Sequence, residues 1–105
     1  MKIRDIIKSL ELIAPLSLQE DYDNAGLLVG NSETICTGII VSLDVTEAII
    51  DEAVQKNCNL IVSHHPIIFK GLKKLNGNNY VERTVISAIQ NNISIYAIHT
   101  NLDNI

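Results

Sequence analysis

Three short runs of apolar, largely β-branched residues constrain this chain more than anything else in it: Gly38–Leu43, Asn59–Ser63 and Ile93–Ile98. A stretch with helical spacing separates each run from the next. Ile49, Ile50, Ala53 and Val54 share one face in the first stretch, and Val81, Val85, Ile86 and Ile89 in the second. A strand, a crossover of that length and another strand close with the two strands parallel. The repetition predicts an α/β fold, a mainly parallel sheet with flanking helices. The run Gly38–Leu43 reads as a buried strand because β-branched residues dominate both of its faces.

The rest of the chain fits around that unit. Ile3, Ile6, Ile7, Leu10 and Ile13 predict an amphipathic helix over 2–13, ended by Ala14-Pro15. Asp23-Asn24 followed by Gly26 is turn chemistry, and it feeds a short strand over Leu27–Val29 closed by Gly30. Asp44 with Glu47 three residues on resembles a capping box, which makes Asp44 the expected N-cap of the first crossover helix. Asn76-Gly77-Asn78-Asn79 is a loop, and Asn79 with Glu82 opens the second helix.

Composition narrows the function classes. With 105 residues, 47% of them apolar but only 4% aromatic, there is room for one domain and a single modest core. A net charge of -4 leaves no basic footprint and argues against nucleic acid as a main partner. Cys36 and Cys58 form no C-x-x-C pattern and read as small buried hydrophobes of a reducing compartment. Arg4, Asp5, Lys8 and Glu11 interrupt the N-terminal stretch, so it does not read as a signal peptide. No run approaches the roughly 18 to 20 apolar residues that span a bilayer. A cytoplasmic protein without a membrane partner is the expectation.

The chemistry-bearing residues gather where the strands end. One run ends at Asp44, the next at His64-His65-Pro66, and the third at His99-Thr100-Asn101-Leu102-Asp103. In a parallel sheet those carboxyl ends share one edge, where α/β proteins place their sites, and all 3 histidines are in the set. Imidazole with carboxylate suits Zn²⁺, Mn²⁺, Fe²⁺ or Ni²⁺ better than Ca²⁺ or Mg²⁺. His64 and His65 are neighbours, and in extended backbone their side chains point to opposite sides. Two metal ions, or one ligand and one supporting histidine, fit that arrangement better than a single ion held by both. Plainer roles stay open for the others: His99 as a hydrogen-bonded rim residue, Asp103 as a cap, and Lys70, Lys73 and Lys74 as a solvated loop. No phosphate-binding glycine motif and no nucleophile–base pair is present.

Four stretches together carry a resemblance. Tyr22-Asp23-Asn24-Ala25-Gly26-Leu27-Leu28-Val29-Gly30, Leu43-Asp44-Val45-Thr46, Ser63-His64-His65-Pro66-Ile67-Ile68-Phe69 and His99-Thr100-Asn101-Leu102-Asp103 resemble a dinuclear metal-centre family in order and spacing. That family is the GTP cyclohydrolase I type 2 homologs, or NGG-one-interacting-factor-three-like proteins. Its members usually carry Trp where this chain has Tyr22. The resemblance implies metal ligands at His64, His65 and Asp103, with His99 beside the site. It also implies two divalent ions per complete site and a toroidal hexamer in full-length members.

Family members continue past the stretch that matches Asp103, and a distal His and Glu complete their site. Residues 1–105 are therefore expected to be a single α/β domain, incomplete relative to the family. They would be the N-terminal portion of a larger two-lobed fold, with a complementary C-terminal segment as a partner. The functional expectation is the N-terminal part of a two-metal hydrolase. A non-catalytic metal-binding scaffold or regulatory interaction protein, and an inactive truncated remnant, are the alternatives.

Overall fold

A computed structural model describes all of residues 1–105 and contains both predicted crossovers. The chain runs α1 (Ile3–Ile13), a 3₁₀ turn (Leu16–Leu18), β1 (Gly26–Val29), β2 (Ile39–Ser42), α2 (Glu47–Gln55), β3 (Leu60–Ser63), α3 (Tyr80–Gln90), β4 (Ser94–Ala97) and α4 (Thr100–Asp103). The four-stranded sheet has the order β1-β4-β3-β2. Strands β2, β3 and β4 are parallel and level, with Ser42 opposite Ser63 and Ser63 opposite Ala97. Strand β1 is antiparallel to β4, with Gly26 opposite Ala97. The amino end of β1 therefore arrives at the same edge as the carboxyl ends of the other three.

Local chemistry sets the boundaries. The helix α1 opens with the Lys2 N–H donating to the Asp5 carboxylate at 2.9 Å, and Pro15 follows its C-cap, Ala14. Asn79 caps α3 by accepting from the Glu82 N–H at 2.9 Å, as the sequence predicts. The Glu82 carboxylate folds back and accepts from the Asn79 side chain at 2.9 Å and the Asn76 N–H at 3.1 Å. Both crossover helices end alike: Asn57 after α2 and Asn92 after α3 take left-handed φ values of 55° and 54°. Asparagine tolerates that conformation better than most residues, so each helix stops where the next strand must begin. At Gly30, where φ is 109°, an added Cβ would lie 2.7 Å from the Ser94 Cα, so only glycine lets β1 leave the sheet so close to β4.

The sheet separates two cores. On one face Leu60, Val62 and Tyr96 pack with Ile3, Ile6, Ile7 and Leu10 of α1. On the other, Ile61 and Ile95 pack with Ile50 and Ala53 of α2 and Val85 and Ala88 of α3. Burying each large side chain contributes about 1.5–3 kcal/mol, and every residue of β3 and β4 is buried. The Tyr96 hydroxyl donates to the Glu11 carboxylate at 3.2 Å; burial, and then the Glu11 charge, push its pKa up.

The first apolar run differs from expectation. Strand β2 is an edge strand, and Ile39, Val41 and Leu43 stand 43%, 79% and 62% exposed. Ile40, facing the other way, packs against the α2 and α3 core. The cluster under α1 draws on β3 and β4 and takes nothing from β2, so alternate β2 residues meet no layer. No helix is long and apolar enough to cross a membrane.

Candidate metal centre

Strand β3 ends at Ser63, and His64-His65 form a bend rather than a continuation of the strand. Hydrogen bonds to the edge strand fix that bend. The His64 N–H donates to the Ser42 carbonyl at 3.2 Å and the His65 N–H to the Leu43 carbonyl at 2.9 Å. The Ser63 hydroxyl donates to the His65 carbonyl at 2.9 Å. Because the backbone turns, the two imidazoles do not point to opposite sides. Their ring centroids are 5.1 Å apart with planes at 60°. The opposed arrangement expected from the sequence required extended backbone, and the strand ends one residue too early for it.

The end of β4 delivers the third imidazole. The Ile98 N–H donates to the Ser63 carbonyl at 2.8 Å, so β4 stays in register and places the His99 ring 4.9 Å from His64 and 5.6 Å from His65. One ring nitrogen from each of His64, His65 and His99 lies within 4.8 Å of the other two. All three histidines of the chain thus form a single cluster.

Each imidazole has its own carboxylate. His65 Nδ1 is 2.6 Å from Asp44 Oδ1, His99 Nδ1 is 2.9 Å from Asp23 Oδ1, and His64 Nε2 is 3.3 Å from Asp103 Oδ1. Asp44 is not the N-cap that its spacing to Glu47 suggested. Thr46 caps α2, its hydroxyl accepting from the Ile49 N–H at 3.2 Å, and Asp44 is left free to meet His65. Asp103 reaches His64 from α4, a single turn whose i, i+3 spacing puts Thr100 and Asp103 on neighbouring positions. Four residues carry too little periodicity to announce a helix, so this turn is not legible from residue types. Lys70, Lys73 and Lys74 are exposed, and Lys70 lines a cavity with Phe69 and Tyr80 rather than joining the cluster.

Asp23 is the residue that sequence reasoning undervalued. Its side chain is fully inaccessible, whereas those of Asp44 and Asp103 are 60% and 57% exposed. Oδ1 accepts from His99 Nδ1 and from the Asn24 N–H at 2.7 Å; Oδ2 accepts from the Thr100 N–H at 2.9 Å and from the Thr100 hydroxyl. Burial alone would raise its pKa. The bonds from the Thr100 hydroxyl, His99 and the two N–H groups outweigh that, and the carboxyl is held at about 2 against an ordinary 3.8. A depressed carboxyl stabilises the fold fully above its unfolded value and loses that contribution as pH falls through the folded one. Acid titration followed by circular dichroism should therefore show a loss of stability between about pH 4 and pH 2 that the Asp23→Asn variant does not share.

The donor set, imidazoles with a carboxylate, suits a divalent transition metal. His64 Nδ1 is buried without a hydrogen-bond partner, and Nε2 is the nitrogen that faces Asp103. The His64–Asp103 separation of 3.3 Å is long for a charge-assisted hydrogen bond. It matches the distance between neighbouring donors of a tetrahedral site, about 3.3 Å when each donor sits ~2.0–2.1 Å from the ion. Beside His65 lies a cavity of about 300 Å³ lined by Asp44, Thr46, Pro66 and Tyr80, room for a small ligand next to the cluster.

Known proteins resemble this chain in sequence and in fold. The family model described as Duf34/NIF3 (NGG1p interacting factor 3) matches residues 1–105. A protein of Clostridium acetobutylicum named GTP cyclohydrolase 1 type 2 homolog is 45% identical over 105 residues, covering 100% of this chain and 39% of its own. A Staphylococcus aureus protein of known crystal structure superposes with a TM-score of 0.94 at 43% identity, over 98% of this chain and 33% of that one. A Bacillus cereus protein described as related to NIF3 gives 0.92 at 36% identity, over 98% of this chain and 28% of that one. The chain thus spans well under half the length of these relatives.

Proposed function

The chain belongs to the Duf34/NIF3 family, and on that premise we propose that His64, His65 and Asp103 hold divalent metal as the N-terminal part of a two-metal hydrolase. One observation carries the reading: imidazoles from the ends of two parallel strands converge on one spot, with an exposed carboxylate 3.3 Å from His64. A metal bound there would supply a water acidified toward neutral pH and a Lewis acid for a substrate oxygen. The chain's own residues do the positioning. Asp44 orients His65 by accepting from Nδ1, and α4 aims Asp103 at His64. The cavity beside His65 would take a substrate's reacting group, with Tyr80 and Pro66 as its walls.

A metal-binding scaffold without turnover is the second reading. It is favoured by one feature: Asp23, Asp44 and Asp103, the carboxylates around the cluster, are each bonded to an imidazole. A hydrolase would also need a base free to take a proton from the attacking water.

Calorimetric titration of Zn²⁺ and Mn²⁺ into the chain tests the shared premise. His64→Ala/His65→Ala should weaken Zn²⁺ binding by at least about 100-fold, since two neutral nitrogen donors are removed at once. Equal binding by both proteins would place the metal elsewhere.

A further inference from the structure

We infer that the cavity lined by Phe69, Lys70 and Tyr80 is a second binding site, one that takes a planar aromatic ring carrying a phosphate. As the holding site for a substrate it rests on the hydrolase reading above. As a binding site it stands on its own geometry.

The aromatic side chains are placed unusually. Of the chain's 3 tyrosines and 1 phenylalanine, Tyr96 alone is buried. Tyr22, Phe69 and Tyr80 stand 65%, 46% and 60% exposed. Tyr22 and Phe69 meet with ring centroids 6.4 Å apart, and Tyr80 lines one cavity with Phe69. A ring face left in water forfeits the burial a core would give it and offers a surface on which another ring stacks. The cavity holds about 400 Å³, within the roughly 300–1,000 Å³ of small-molecule sites. It shares Pro66, Ile67 and Tyr80 with the cavity beside His65, so a ligand seated in one reaches the other.

Charge decides what the ring must carry. No acidic residue lies between Glu52 and Glu82, and Lys70, Lys73 and Lys74 fall close together within that span. Lys2, Arg4, Lys56 and Arg83 each pair with a carboxylate, but none of these three lysines does. Lys70 is the one charged residue lining the cavity. In a chain of net charge -4, a cavity whose only charge is positive favours anions. An ammonium is a point charge that suits phosphate.

The segment carrying these groups is held at both ends. The Asn24 side chain donates to the Ile68 carbonyl at 2.6 Å, next to Phe69. Farther on, the buried Glu82 carboxylate accepts from the Asn76 N–H, and Arg83 donates to the Gly77 carbonyl at 3.3 Å. A merely solvated loop of lysines would need neither anchor. Pre-ordered walls reduce the entropy lost on binding. Asn24 thereby gains a role separate from that of Asp23, as the residue that positions the aromatic wall.

The test titrates adenosine monophosphate, in EDTA, into the unmodified chain and into His64→Ala/His65→Ala, read by proton–nitrogen NMR. Both proteins should bind it, with the Phe69, Lys70 and Tyr80 amide signals moving most. Phe69→Ala and Tyr80→Ala should each weaken binding about 5- to 150-fold, the range for one stacked base. Tyr80→Phe should bind as the parent does. Lys70→Ala, or raised salt, should weaken binding of the nucleotide and leave that of adenosine unchanged. Ribose phosphate, which lacks the ring, should bind more weakly than the nucleotide. The signal map of the unmodified chain stands even if a variant folds poorly. No movement at these three residues, or Phe69→Ala and Tyr80→Ala binding as tightly as the parent, would overturn this inference. The exposed rings would then be a packing surface for another protein segment. Because no metal is present, the outcome is independent of the Zn²⁺ titration: either reading can fall with the other intact.

Discussion

Asp23→Ala should destabilise the fold by about 3–5 kcal/mol, because several buried donors lose the one charged acceptor they share. The size follows from what would be left behind. His99 Nδ1–H, Thr100 N–H, Thr100 O–H and Asn24 N–H all end on this one carboxylate, whose side chain is fully inaccessible. Each buried donor without an acceptor costs about 1–3 kcal/mol, less whatever water recovers when the site opens. Asp44→Ala and Asp103→Ala form the contrast. Both side chains are more than half exposed, and screened pairs of that kind contribute about 0–1 kcal/mol. Urea unfolding of the three variants measures the difference. Equal destabilisation by all three would mean that Asp23 does not hold the β1 lead-in to the end of β4.

The second large effect is on ligand-linked stability. An ion that binds only the folded chain adds about 2.7 kcal/mol when its free concentration is 100 times its Kd. Zn²⁺ should therefore raise the urea midpoint of the unmodified chain and leave that of His64→Ala/His65→Ala nearly unchanged. The direction has a local cause. His64 Nδ1 is buried and unpartnered in the metal-free fold, and ligation through Nε2 beside Asp103 is open only to the folded chain. Without metal, the double variant loses imidazole packing but also loses that orphaned atom. Its stability should thus lie within about 1–2 kcal/mol of the parent. A Zn²⁺ effect of equal size in both proteins would assign the stabilisation to other residues.

The sheet was legible because its evidence is repetitive. Two helical stripes between three β-branched runs leave few alternatives to parallel crossovers, and the Asn79–Glu82 cap is spelled out in residue types. What was not legible depends on placement. Asp44 and Thr46 are both eligible caps two residues apart, and the sequence does not say which one the first turn of α2 will choose. Thr46 takes the cap, and that choice releases Asp44 to bond His65. Asp23 looks like turn chemistry from its neighbours. Its partner His99 is 76 residues away, and the two meet only because β1 pairs antiparallel with β4, Gly26 against Ala97. The exposed face of β2 has the same origin, since its composition suits a buried strand while the strand order leaves it at the edge.

Metal ligation by the clustered imidazoles is the central claim, and X-ray absorption at the zinc edge of the Zn²⁺-loaded chain tests it most directly. The expected spectrum carries the outer scattering of imidazole rings, with nitrogen and oxygen at ~2.0–2.1 Å, and that ring scattering is lost in His64→Ala/His65→Ala. A spectrum of oxygen neighbours alone, the same in both proteins, would contradict the account. The three histidines would then be hydrogen-bonded residues at the rim of a sheet.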